Sequence, residues 1–188
     1  DGHWPQGGML ALLGQLAAVT AKSRIGSLVM LPGLHDPLLI AEHVTTLDLL
    51  SKGRFQLGVA SGAAQSSAMR ARGLDRGAAR DRLHAHLDQV LELLHSVVPP
   101  PAQSPIPVWL ATDDEHSLCK AAEQGWGLVA AATHTRERVL RMIDVYMKAS
   151  GGRPPELTLA RFASTAATRD EAVALAQSYL DDFASRAQ

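Results

Sequence analysis

The sequence predicts an α/β fold in which parallel strands alternate with the helices that cover them. Three observations carry this expectation. Apolar runs of strand length recur between longer segments of helical spacing. The two strands flanking the best-defined helix are almost wholly apolar, the pattern of a parallel sheet covered on both faces. The alternation then continues strictly to the end of the chain, favouring one domain with right-handed crossovers.

The elements follow in order. A first helix is expected over 9–23, because Leu10, Leu13, Leu16, Ala17 and Thr20 share one face. Its segment MLALLGQLAAVTA has the outward look of a leader peptide. No positive region precedes it, however, and it falls far short of the ~18 apolar residues of a membrane span. A core helix and a cytoplasmic location are expected. Residues 25–31 form an apolar strand with one small break, ended by Pro32. Pro37 opens the next helix, because the N–H it lacks is an orphan there in any case. Leu38, Leu39, Ala41, Val44, Leu47, Leu49 and Leu50 give that helix, 37–51, its apolar stripe, and Lys52-Gly53 ends it. The strand 55–60 stops at Ser61-Gly62.

Residues 63–77, rich in Ala, Ser, Arg and Gly, are expected as an extended loop, followed by a helix over 77–97. The run VPPPAQSPIP is a stiff connection and not a domain linker, since the apolar pattern resumes at once. Strands near 107–111, 127–132 and 157–163 and helices near 115–124, 135–150 and 169–186 complete the series.

Composition narrows the function classes. The 188 residues are 46% hydrophobic and 20% charged with a formal charge of -1, ordinary for a globular chain with one sizeable core. Near-zero charge gives no reason to expect nucleic acid or an anionic membrane as partner. Basic residues cluster only over 70–82, interrupted by Asp75 and Asp81, and read as a solvated face. Cys119 is the single cysteine, so no internal disulfide exists, and a reducing compartment fits. His84 and His86, two apart, lie on different helix faces and make no metal pair. Glu42-His43 has no further ligand at the required spacing. No metal site is expected, nor a dinucleotide fingerprint or a G-x-S-x-G elbow.

The words RIGSLVMLP, HDPLLIAE and TLDLLSKGRFQLGVASG, followed in order by PIPVWLAT, AAEQGWG and LTLARFASTAATRDEAVALA, resemble the bacterial luciferase-like, flavin-dependent monooxygenase family. The likeness covers nearly the whole chain and is densest over 24–62. It implies a TIM barrel, with this chain supplying its third strand onward. A complete barrel takes about 250 residues, so one barrel domain over 1–188 would be incomplete. The pieces lacking are the first two strands with their helix and the last strand–helix unit. A fragment, or a shortened homologue closing its edges by dimerisation, is expected.

In such barrels the site lies at the C-terminal ends of the strands, here 31–35, 60–62, 112–117 and 132–134, plus His3. Small residues there leave room for a flat ring, and Ser or Thr at helix starts suits a phosphate. The resemblance implies reduced FMN across this mouth, supplied by a separate flavin reductase and used with oxygen on a small organic substrate. It also implies a homodimer. Ser27, Leu28 and Val29 occupy the place where many relatives carry a bulge or a non-proline cis peptide. Ala60, Ser61 and Gly62 would lie beside the ring, and Thr112, Asp113 and Ser117 beside the phosphate. His3, in the DGHW run, and His35 are the catalytic candidates.

The sequence also departs from the family. Ala60 and Ser61 stand where the catalytic luciferase subunit has a reactive cysteine and a phosphate-binding arginine. The loop TDDEHS carries three carboxylates that would repel a dianion, although N-cap and first-turn roles explain them; Arg70 and Arg72 are alternative phosphate ligands. Two further readings therefore stand beside the monooxygenase: a non-catalytic flavin-binding or scaffold subunit, and a deazaflavin-dependent hydride-transfer oxidoreductase.

Overall fold

The computed structural model describes residues 8–62 and 67–186. Its elements are α1 (Met9–Val19), β1 (Ile25–Gly26), a 3-10 turn (Pro32–Leu34), α2 (Pro37–Ser51), β2 (Phe55–Val59), α3 (Ser67–Arg70) and α4 (Arg76–Leu93). They continue with β3 (Val108–Ala111), α5 (Glu115–Gln124), β4 (Gly127–Ala130), α6 (Arg136–Ala149), β5 (Leu157–Leu159) and α7 (Arg169–Arg186). The strands form one sheet in sequential order, every pairing parallel. Register runs through Ile25↔Phe55, Leu57↔Val108, Leu110↔Leu128 and Val129↔Thr158. This is the wall of a half-barrel, as the alternation requires.

Phe55, Leu57, Val59, Leu110 and Leu128 are fully buried along the strands, and Val44, Leu87, Leu118 and Met142 meet them from the helices. Burial of such side chains contributes about 1.5–3 kcal/mol each. The unbroken apolar runs are thus the signature of strands with no solvent face.

The LDLLSKGR segment turns out to be a structural clasp. Asp48, 0% exposed, accepts from the Gln103 amide at 2.8 Å and from its side-chain Nε2 at 2.6 Å. It thereby ties α2 to the Pro-rich connection. Ser51 Oγ donates to the Asp48 carbonyl and accepts from the Arg54 amide. Lys52 and Gly53 turn the chain at φ of 56° and 73°, left-handed values that glycine adopts freely. Arg54 then reaches back to α1 and donates to the carbonyls of Ala17 (3.1 Å), Thr20 (2.8 Å) and Ser23 (2.6 Å). Carbonyls left over at a helix end are thus satisfied by a cation, the sign the helix dipole favours.

Several boundaries differ from expectation. The first helix stops at Val19, because Thr20 is extended and its hydroxyl turns back to the Leu16 carbonyl. The strand expected over 25–31 pairs regularly only at Ile25–Gly26 and again at a bridge between Met30 and Val59. Between them the Ser27 hydroxyl takes over the ladder, donating to the Gly58 carbonyl (2.8 Å) and accepting from its amide (3.0 Å). Gly58 has no room for more: a Cβ there would lie 2.0 Å from the Ser27 carbonyl oxygen. The stretch read as one loop over 63–77 contains α3, and α4 begins at Arg76 with Asp75 as its N-cap. Among the described residues, no helix is long and apolar enough to cross a membrane.

Candidate functional site

The C-terminal ends of β1 to β4 surround a cleft of about 660 Å³, within the ~300–1,000 Å³ usual for small-molecule and cofactor sites. Val29 and Leu31 form one apolar side, and Ala60, Ser61 and Gly62 follow from β2. Gly62 has φ of 90°, and a Cβ on it would meet Met69 Cε at 2.4 Å, so both the backbone turn and the packing of Met69 require glycine here. Thr112, Asp113, Asp114 and Ser117 close the side beyond β3, and His134 stands beyond β4. Arg76 and Arg80 enter from the first two turns of α4.

The residues expected at the site divide by place. Val29, Ala60, Ser61, Gly62, Thr112, Asp113 and Ser117 line the cleft. Ser27 is buried with its hydroxyl engaged by Gly58, Leu28 is 63% exposed, and neither lines it. The Leu28–Val29 peptide is cis, at the position the resemblance indicates. His35 is exposed, caps the 3-10 turn through its amide, and accepts from His86 Nδ1 through its carbonyl. Loss of hydration, then the nearby Arg72 and His43, hold its pKa below the usual imidazole value. It is not among the cleft residues. His3 lies outside the described residues.

The acidic loop is less repulsive than its sequence suggests. Asp113 is held between Arg76 (3.1 Å) and Arg138. Asp114 caps α5, accepting from the Ser117 amide (3.0 Å) and hydroxyl (2.9 Å), and lies 3.4 Å from Arg80. Burial opposes ionisation of Asp114, but the two Ser117 bonds and Arg80 outweigh it and hold the carboxyl below its ordinary range. Thr112 Oγ accepts from the Asp114 amide at 3.1 Å. Two of the three carboxylates are therefore matched by guanidinium groups.

Two participants, Arg76 and Arg80, were not singled out by sequence, and a third, His134, was reached only as part of the strand-end segment 132–134. Arg76 and Arg80 belong to the basic cluster read as a solvated face; Arg70 and Arg72, considered for the phosphate, do not line the cleft. The N-cap at Asp75 followed by arginines one and two turns into a helix is the signal that could have identified them. His134 lines the cleft with its Nδ1 buried and unpartnered. Burial, then Arg161, lowers its pKa, so the ring is neutral at neutral pH. Its place at the end of β4 is what put 132–134 among the expected site segments, though no role was given to this ring.

Comparison with known proteins agrees with this architecture. The family model described as luciferase-like monooxygenase matches residues 2–188. A luciferase-like monooxygenase of Escherichia coli K12 is 32% identical over 145 residues, covering 72% of this chain and 43% of that protein. The oxygenating constituent of 3,6-diketocamphane monooxygenase of Pseudomonas putida, solved with FMN, superposes with a TM-score of 0.71 at 16% identity. It covers 86% of this chain and 54% of its own. The coenzyme F420-dependent tetrahydromethanopterin reductase of Methanopyrus kandleri gives a TM-score of 0.73 at 18% identity, covering 91% and 59%. The chain spans about half the length of these relatives.

Proposed function

The chain belongs to the luciferase-like monooxygenase family, and we propose that it is the cofactor-binding part of a flavin-dependent monooxygenase. In this reading FMN in its reduced form occupies the cleft and serves as the electron donor to oxygen, which is used on a small organic substrate. The observation that carries the reading is the pairing of a small-residue rim, Ala60-Ser61-Gly62, with two guanidinium groups in one open cleft. The rim leaves space for a planar ring, and Arg76 and Arg80 match the charge and fork geometry of a phosphate.

The chain's own groups then have distinct tasks. Val29 and Leu31 provide an apolar flank that keeps water from the ring. Arg80 binds the phosphate with Arg76 beside it, and Thr112 offers its hydroxyl to the same end. His134, neutral and facing the cleft, accepts or returns a proton at an imidazole nitrogen. His3 remains a catalytic candidate on the resemblance alone. A separate reductase supplies the reduced flavin, and a homodimer is the expected assembly.

One alternative has a specific support. The F420-dependent neighbour superposes as well as the FMN-containing one, so a deazaflavin taking part in hydride transfer fits the same rim. Fluorescence titration of the chain with oxidised FMN, reduced FMN and F420 separates the readings. Saturable FMN binding weakened at least tenfold in Arg80→Ala supports the monooxygenase. Preference for F420 supports the alternative, and binding of neither leaves a scaffold subunit.

A further inference from the structure

We propose that His84 is a positioning residue for the cleft: it holds the Ser117 hydroxyl on Asp114, so that Ser117 meets a ligand as an acceptor and not as a donor. The proposal rests on the reading that a cofactor occupies the cleft.

The argument is a count of protons. Ser117 Oγ lies 2.9 Å from Asp114 Oδ2 and 2.9 Å from His84 Nε2. A hydroxyl has one hydrogen and an ionised carboxylate can only accept, so the Ser117 hydrogen goes to Asp114. The contact with His84 is therefore a donation from Nε2 to the serine oxygen, and the ring is the Nε2–H tautomer. His84 is 6% exposed and Ser117 1%, so neither group has bulk water as a substitute partner. The other ring nitrogen, Nδ1, is buried without a partner. A hydrogen placed there would be an orphan donor, which agrees with the ring remaining neutral.

The ring's position is itself fixed. His116 meets it edge to face, with centroids 5.7 Å apart and planes at 79°. The titratable groups acting on it are Lys120 and His116 of α5, Asp88 of α4 and Asp114; burial first, then Lys120 and His116, push its pKa down against the two carboxylates.

The consequence concerns ligand chemistry. The Ser117 amide is also committed to Asp114, at 3.0 Å. The wall that looks like a hydroxyl-rich phosphate site thus offers neither N–H nor O–H from Ser117. It offers one remaining oxygen lone pair, which suits a hydroxyl or ring N–H of the ligand. The anion is left to Arg76 and Arg80.

The test uses the full chain and three variants, His84→Gln, His84→Leu and Ser117→Ala. Nitrogen-15 spectra of the imidazoles decide the geometry without any flavin. The expected result is Nε2–H at neutral pH for His84, with its titration displaced in Ser117→Ala. An Nδ1–H tautomer, or a titration indifferent to Ser117→Ala, overturns the proposal. FMN titration then reads the consequence. His84→Leu should weaken FMN about fivefold, the worth of one ~1 kcal/mol hydrogen bond. His84→Gln, which keeps an N–H donor, should stay within twofold, and inorganic phosphate should bind both variants like the parent. Equal FMN affinity in His84→Leu and the parent also overturns it. Should the parent bind no FMN, the functional reading fails by itself, while the nitrogen spectra still decide the placement of His84.

Discussion

Replacing Asp113 by asparagine tests how the cleft handles charge. Asp113 lies between Arg76 at 3.1 Å and Arg138, and Arg80 faces Asp114. Arg80 also pairs with Asp81 at 2.9 Å, so three guanidinium groups meet three carboxylates with no net local charge, and Asp113→Asn raises it to +1. A dianionic phosphate about 6 Å from the lost charge gains ~1.4 kcal/mol in a water-like dielectric. At 0.1 M salt, with a Debye length of about 10 Å, roughly half of that survives. FMN should therefore bind about fourfold more tightly at 0.1 M salt, and about sevenfold at about 0.01 M, where the Debye length is about 30 Å. The Arg76 side chain is 71% exposed and that of Arg138 40%, so loss of the pairs should cost less than about 1 kcal/mol of stability. Fluorescence titration at two salt concentrations, with a thermal melt as control, gives the answer. Unchanged affinity at low salt would place the phosphate away from Asp113. Weaker binding would mean that Asp113 orients Arg76 instead of competing for it, and either result refutes the reasoning.

Other perturbations follow from the same geometry. Acidification should lower stability, because His84, His35 and His134 all have pKa values below the 6.5 of an unperturbed imidazole. Between the lowered and the ordinary value the unfolded chain binds protons that the native one does not. Stability is thus whole above about 6.5 and lost as pH falls through the folded values; a Tm that stays flat from pH 7 to 5 contradicts this. Arg54→Ala removes the guanidinium from three carbonyls of α1 and its following turn, and should cost about 2–3 kcal/mol in urea unfolding. Gly58→Ala forces a Cβ against the Ser27 carbonyl at 2.0 Å, so it should cost about 3 kcal/mol or more and lower soluble yield. Asp48→Ala leaves the half-buried Gln103 amide unpaired and empties a fully buried side-chain position, with an expected loss of about 2–3 kcal/mol by chemical denaturation.

The sheet was legible in the sequence because burial on both faces erases the polar half of a strand's alternation. Phe55 to Val59 could be read on hydrophobicity alone. The strand after Arg24 was legible only in part. Nothing in its apolar side chains announces that the Ser27 hydroxyl replaces the backbone ladder opposite Gly58. The rim residues Ala60, Ser61 and Gly62 followed from strand ends, a matter of order along the chain. Arg76 and Arg80 did not, because their value comes from meeting Asp113 and Asp114 more than thirty residues away. The same holds for His84: two residues from His86 it looked like half of a failed metal pair, whereas its partner is Ser117 on the next helix. Local pattern reports which face is buried; it carries no record of which polar groups meet across that face.

The clasp formed by Asp48, Ser51 and Arg54 has a practical corollary. It sits where β2 begins, at the end of the sheet opposite the mouth, and its bonds run to scaffold backbone, to the Thr20 hydroxyl and to Gln103. The most recognisable word in this sequence is therefore chemically silent. Two proteins can spell it identically while handling unrelated electron carriers, and a redesigner can exchange whole loops at the far rim without rewriting a letter of it.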